Sequence, residues 1–284
     1  MRIGASIFPT DLSIGPVEVA RAVEERGLDS LFVTEHTHIP TSRRTPLPGR
    51  DTLPDEYRRT LDPFVALGAA AAVTDRIALG TGITLVAQHD PIVLAKEVST
   101  LDLVSNGRVI LGIGVGWNVE EMEHHGVDPA KRRAIVREKV LAMKELWTKE
   151  AASFEGEHVR FSESWQWPKP VQKPHPPILM GGAGGPVTFR HVVEYCDGWI
   201  PISGRANIVE RIADLRAAAE AAGRDPDTIE LAVFGARADP DVLEHYANAG
   251  IGHVVLRLPS APADVVLPVL DSYEASIADF RAKG

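Results

Sequence analysis

The chain of 284 residues holds one cysteine, Cys196, so no intramolecular disulfide can form and a reducing interior is the expected compartment. Basic runs are equally scarce, with nothing longer than Arg43-Arg44, Arg58-Arg59 and Lys131-Arg132-Arg133. Against 39 Asp and Glu there are 30 Lys and Arg, and the net charge of −9 together with the lack of long basic runs disfavours a nucleic-acid surface. Long apolar runs are missing too. The stretch from Ala66 to Val73 stops at Thr74-Asp75, far short of a membrane span, and the opening MRIGASIFPTDL is broken by Pro9 and Asp11, too early for a secretory signal. The expectation is a soluble, cytoplasmic protein that binds neither nucleic acid nor membrane.

What is present is alternation. Short β-branched runs (3–8, 30–33, 77–84, 109–113, 178–181, 198–202, 229–234 and 253–258) are separated by amphipathic stretches (16–26, 63–73, 91–105, 129–147, 186–194, 207–222, 240–249 and 265–281). Proline stands at or near the first turn of several of these helices, as at Pro91, Pro129, Pro186 and Pro240, where its missing N–H costs nothing. Repeated βα units of this kind call for a parallel sheet, and eight of them in this length predict a single (β/α)8 TIM-like barrel over residues 1–284. Two connections are too long for turns. Residues 36–60, rich in Pro, Thr and Arg, read as a lid or binding loop, and residues 151–177 read as a hairpin-like insertion between the fourth helix and the fifth strand.

In such a barrel the chemistry collects where strands end. The fourth run, RVILGIGVG, empties through Gly112, Gly114 and Gly116 into Trp117 and Asn118, and glycines there allow a ligand to approach the backbone. The register departs from the dinucleotide fingerprint, the third glycine coming one residue early, and that fingerprint normally opens the first βαβ unit, whereas other strands already precede this one. The fifth run empties into Gly181, Gly182, Ala183, Gly184 and Gly185, after which Pro186 opens a helix whose free amides suit an anion. No Lys-Ser/Thr follows, which excludes a Walker-type loop. At the end of the second run stands VTEH, where His36, preceded by Glu35, can accept or donate a proton near neutral pH. His36 and His38 spell a spacing used by metal hydrolases, but the later strand ends read Met180, Pro201 and Arg257, so no metal is expected. His89, His124 and His125 lack evident partners and are expected to cap helices or face solvent.

The run LGTGITLVAQHDPIVLAKEVSTLDLVSNGRVILGIGVGWNVEE, with VTEH, PKPVQKPHPPILMGGAGG and YCDGWIP, resembles the luciferase-like monooxygenase superfamily, and within it the oxidoreductases that use the deazaflavin coenzyme F420. The resemblance covers nearly the whole chain. It implies that a flavin-type ring lies across the carboxyl end of the barrel against a cis peptide, here Gly82-Ile83. It implies further that Gly112, Gly114 and Gly116, with Asn118, face the cofactor, that the loop Gly181 to Gly185 holds its phosphate, and that His36, Glu35 and Trp117 stand at the reacting centre. Trp117 departs from relatives that oxidise sugar phosphates or reduce a pterin-linked one-carbon unit, which carry glutamate there. The resemblance thus implies an F420-dependent oxidoreductase transferring a hydride to or from a small organic substrate, with an FMN-dependent monooxygenase as the alternative and a homodimer as the assembly.

Overall fold

The computed structural model describes residues 1–204 and 207–283. Its strands are β1 (Arg2–Ile7), β2 (Ser30–Val33), β3 (Ala78–Thr81), β4 (Val109–Ile113), β5 (Ala151–Glu155), β6 (Arg160–Trp165), β7 (Ile178–Gly181), β8 (Gly198–Ile200), β9 (Glu230–Ala236) and β10 (His253–Arg257). Eight of them close a barrel in the order β1-β10-β9-β8-β7-β4-β3-β2, while β5 and β6 form a separate antiparallel pair. Every pairing in the barrel is parallel, as in a TIM barrel. The helices are α1 (Pro16–Glu25), α2 (Pro63–Ala71), α3 (Pro91–Val104), α4 (Val119–His124), α5 (Arg132–Thr148), α6 (Pro186–Tyr195), α7 (Ile208–Ala221), α8 (Pro240–Asn248) and α9 (Ala263–Lys283). No described helix is long and apolar enough to cross a membrane.

Local chemistry explains most boundaries. Asp62, Asp90 and Asp239 accept backbone N–H bonds at the starts of α2, α3 and α8, each followed by proline in the first turn. Arg108, just before β4, spreads its guanidinium over the carbonyls of Ala71, Thr74, Ile77 and Ser105 at 2.7–3.2 Å, satisfying acceptors that the ends of α2 and α3 leave open. One expected start is displaced. Asp128 accepts from Ala130 N (2.9 Å) and its carbonyl from Lys131 N (3.0 Å), so Pro129 sits in a turn and α5 begins only at Arg132. The short helix α4 occupies the gap between β4 and that turn.

Two apolar layers result. Outside the barrel, strand residues such as Ile3, Leu31, Leu79 and Leu111 pack against the helices. Inside it, Phe32, Ile110, Leu179, Ile200, Ala232 and Val255 fill the lumen. Phe32 is wholly buried, and an added Cβ at Gly80 on the neighbouring strand would lie 2.3 Å from its ring. A small residue beside a large one is therefore what lets the barrel close over a packed plug. Below the plug the lumen is polar: Ser30 Oγ lies 2.8 Å from Nε2 of His253, both fully buried. Above it, the same face of β2 continues to Thr34 at the carboxyl end. Truncating the plug, Phe32→Ala, is expected to lower unfolding stability by about 3–5 kcal/mol in urea titration. A loss under 1 kcal/mol, roughly that of a surface change, would show that the lumen repacks freely.

Candidate active site

A cavity of about 550 Å3 opens at the carboxyl ends of the barrel strands. A depression at the opposite end, beside Arg2, Asp29 and Arg281, has its charges engaged: Arg2 pairs with Glu230 and Arg281 lies 3.7 Å from Asp29. The upper cavity has an apolar body formed by Phe8, Leu47, Ile83, Leu85, Ile200, Phe234 and Leu258, with a few polar groups converging on it.

At its wall stands His36, directly beyond β2 and 8% exposed. Its Nδ1 lies 2.8 Å from Glu121 Oε2, and the Trp117 indole N–H donates to its Nε2 at 3.3 Å. Tyr57, brought in by the long loop after β2, sets its ring 5.2 Å from that of His36, 6.2 Å from Trp117 and 4.8 Å from Phe8. Arg43 places its guanidinium 5.8 Å from the Trp117 ring, a cation–π contact.

The loop is fastened by α4. Glu121, 1% exposed, also accepts from the Thr37 amide at 3.2 Å. Glu120 accepts from Ser42 Oγ (3.2 Å), the Thr45 amide (3.0 Å) and the Thr45 hydroxyl, while Arg44 pairs with Glu123. Burial would raise the Glu120 carboxyl, but the bonds from Thr45 and neighbouring amides hold it low, at about 2. His38 Nε2 meets His124 Nδ1 at 2.9 Å, and Thr37 Oγ1 meets His125 Nε2 at 2.7 Å. Burial pushes the His125 imidazole down, and the adjacent His38 adds to that.

Glu35 turns away from this centre. Its carboxylate, 2% exposed, accepts from Leu85 N at 2.5 Å and lies 2.6 Å from His89 Nε2. Burial alone would lower the His89 imidazole, but the bond and charge of Glu35 more than offset it and raise the group above its ordinary range. So His89 is drawn in onto Glu35, whereas His124 and His125 are exposed at the end of α4, as expected, and also meet His38 and Thr37 on the loop that follows β2. Asp90, beside His89, caps the start of α3, and His125 caps the end of α4 through its backbone N–H.

Of the residues expected at the site, Glu35, His36, Gly82, Ile83, Gly114, Gly116, Trp117, Gly181 and Gly182 border the cavity. Gly112, Asn118, Ala183, Gly184 and Gly185 do not. Gly112 is buried against β3, where an added Cβ would lie 2.1 Å from the Thr81 carbonyl oxygen. Asn118 caps α4 through Glu121 N. The Gly82-Ile83 peptide is cis. Among the described residues no group of three or more His, Cys, Asp or Glu is arranged to hold a metal. Two residues of the site escaped sequence reasoning. Glu121 is 85 positions from His36 and reads as a solvent-facing helix residue, its one signal being the Asn-x-x-Glu pattern of a helix start. Thr34 lines the cavity with its buried Oγ1 lacking any hydrogen-bond partner, and nothing in VTEH distinguishes it from a strand residue.

With this geometry in hand, comparison with known proteins is decisive at the level of family. A sequence model described as luciferase-like monooxygenase matches residues 16–276. The chain belongs to that family. It is 44% identical over 283 residues to an uncharacterized protein of Mycobacterium tuberculosis, covering 98% of this chain and 99% of that one. It is 31% identical over 233 residues to an F420-dependent glucose-6-phosphate dehydrogenase of Nakamurella multipartita, covering 76% of this chain and 62% of the relative. In fold it is similar to the monooxygenase RslO1 from Streptomyces bottropensis, with TM-score 0.79, 21% identity and 98% and 99% of the two chains covered. It is also similar to an F420-dependent secondary alcohol dehydrogenase in complex with an F420-acetone adduct, with TM-score 0.75, 19% identity and 99% of each chain covered. The family and the curated relatives support an oxidoreductase.

The low-lying Glu120 carboxyl carries a stability consequence with a definite sign. A depressed folded value means that its contribution is present above the ordinary 4.5 and is lost as pH falls from there toward about 2. Melting temperature of the native protein should therefore fall more steeply across that interval than that of Glu120→Gln. Parallel curves for the two proteins would show that Glu120 does not fasten the loop.

Proposed function

We propose that the protein is an F420-dependent oxidoreductase, with His36 as the proton-handling residue. The carrying observation is the imidazole of His36, fixed at the cavity wall with Nδ1 on a buried carboxylate and Nε2 on the indole N–H of Trp117, which lines the same cavity. The relatives named as F420-dependent enzymes favour the deazaflavin over FMN. When bound, F420 would supply the hydride acceptor or donor of the reaction.

The cavity suits such a group. It is apolar in its body, it holds one unsatisfied buried hydroxyl in Thr34 Oγ1, and it reaches the first two glycines of the loop before α6. That loop leaves Gly184 at φ 82° and Gly185 at φ 143°, with no side chain capping α6, so amides at the helix start remain for an anion. Gly181, Gly182 and the loop through Gly185 would hold the phosphate, Gly82, Ile83 and Gly116 would back the ring, and Thr34 would bond a polar edge. His36 would hold or release a proton at Nε2, Trp117 would wall the substrate, and Phe8, Leu47 and Phe234 would exclude water from the reacting atoms. Trp117 in place of the glutamate of sugar-phosphate-oxidising relatives argues that the substrate is not theirs.

Titration with F420 and, separately, with FMN, read by quenching of tryptophan fluorescence, tests the cofactor. F420 should bind more tightly, and tighter FMN binding with oxygen-dependent turnover would establish the monooxygenase alternative instead. His36→Gln should lower turnover by about 10²–10⁴-fold while changing F420 affinity only a few-fold. Thr34→Val should move two readouts oppositely. Removing an unsatisfied buried hydroxyl should stabilise the free protein by about 1–3 kcal/mol, while F420 affinity falls. Unchanged affinity would remove Thr34 from the cofactor's partners.

A further inference from the structure

We infer that Glu121 is the positioning residue of the site, setting which nitrogen of His36 carries the proton and balancing the charge that His36 acquires when it takes a second one. The inference deepens the oxidoreductase reading and rests on it only for its kinetic consequences.

Two neighbours fix the tautomer independently. Ionised carboxylate oxygens only accept, so Nδ1, 2.8 Å from Glu121 Oε2, must carry hydrogen. An indole N–H only donates, so Nε2, 3.3 Å from Trp117 Nε1, must be bare. Both conditions select the same form, with the lone pair on Nε2, beside the cavity-lining Trp117. The indole occupies that lone pair in the free protein, and a substrate hydroxyl would have to take its place.

The surroundings of Glu121 explain why the pair matters. Its side chain is 1% exposed, its second oxygen is taken by the Thr37 amide, and no lysine or arginine pairs with it among the described residues. Of the cations nearby, Arg44 is engaged by its neighbours on α4, Glu123 and, at 3.9 Å, Glu120, while Arg43 lies over the Trp117 ring. A buried carboxylate without a cation is costly, and the imidazole of His36 is the group placed to become that cation. A proton arriving at Nε2 from the cavity produces an imidazolium held 2.8 Å from the carboxylate, so both charges are neutralised within the pair. The carboxylate also holds the amide of the next residue, so one side chain fixes both the ring contact and the backbone beside it.

Glutamine at this position offers one acceptor oxygen where two are needed. If that oxygen takes the Thr37 amide, the NH2 group donates to Nδ1 and drives the hydrogen to Nε2, where it would oppose the Trp117 N–H and any substrate hydroxyl. Two-dimensional 15N–1H spectra of the histidine rings in the cofactor-free protein read the tautomer directly, with His36→Gln identifying the signals. The expected result is hydrogen on Nδ1 in the native protein and on Nε2 in Glu121→Gln. The variant should lose about 10²–10⁴-fold in kcat, with substrate KM and F420 affinity changed less than about threefold. Glu121→Asp, which keeps both acceptor oxygens, should restore the Nδ1 form and part of kcat.

Hydrogen on Nε2 in the native protein would overturn the inference, and that spectrum decides even if Glu121→Gln fails to fold. So would a Glu121→Gln variant whose tautomer is native and whose kcat falls only in step with F420 affinity, which is the pattern of a merely structural residue. Absence of F420 binding by the native protein would instead defeat the oxidoreductase reading and leave the tautomer result standing.

Discussion

The upper end of the barrel depends on a set of buried carboxylates that a helix of only six residues, α4, directs at the loop after β2. Such a helix is too short to stand on its own propensity. Its stability comes from what it holds. Glu120 and Glu121 are 2% and 1% exposed, and each is desolvated only because amides, hydroxyls or an imidazole of residues 36–45 satisfy its oxygens. Helix and loop therefore order each other. Neither half of the arrangement is favourable alone, since a carboxylate buried without partners costs far more than the hydrogen bonds return. One wall of the cavity, from His36 to Tyr57, inherits its position from this mutual dependence.

A second carboxylate anchors the other side of the same strand end. Glu35 points opposite to His36, as neighbours along an extended segment must, and takes the Leu85 amide and His89. The dipeptide Glu35-His36 thus acts as a hinge pin between two packed regions: Glu35 binds the segment after the cis Gly82-Ile83 peptide, and His36 binds α4. This division accounts for why Glu35 borders the cavity without offering it a charge. Its oxygens are already engaged, and the titratable group left facing the ligand space from this dipeptide is the imidazole. Lys139, from α5, adds bonds to the carbonyls of Ala87 and His89, at 2.7 and 2.5 Å, and closes the segment from outside.

The barrel was legible in the sequence because its signals are local. Each of the eight runs became a barrel strand, with ends displaced by a few residues at most, since β-branched patterning and proline-opened helices report on the neighbouring chain alone. The same locality explains the misplacements. Pro129 carries the signature of a first helical turn, yet Asp128 captures the next amides and delays α5 to Arg132. His124, His125 and His89 read as unpartnered because their partners, His38, Thr37 and Glu35, lie 86, 88 and 54 positions away. Glu121 was hidden for that reason and for another: beside Glu120 and Glu123 it looks like one charge of an exposed face, and burial is not written in residue type.

The glycines after β4 show how one motif can have more than one physical cause. Glycine spacing suggested backbone opened to a ligand, but an added Cβ at Gly112 would strike the Thr81 carbonyl at 2.1 Å, and one at Gly114 would strike Ile83 Cδ1 at 1.8 Å. Those two positions are glycine because β4 lies close against β3 and the segment that follows it. Gly116 differs. Its φ of 74° is one that side chains rarely adopt, and the nearest atom to an added Cβ is 3.7 Å away, so conformation and not crowding selects glycine there. Packing at Gly112 and Gly114 brings Ile83 to the cavity wall, and the turn at Gly116 then sends the chain back so that Trp117 meets His36. Alternate glycines in one strand exit therefore serve different ends, two of them building the wall and the third aiming the residue that touches the site.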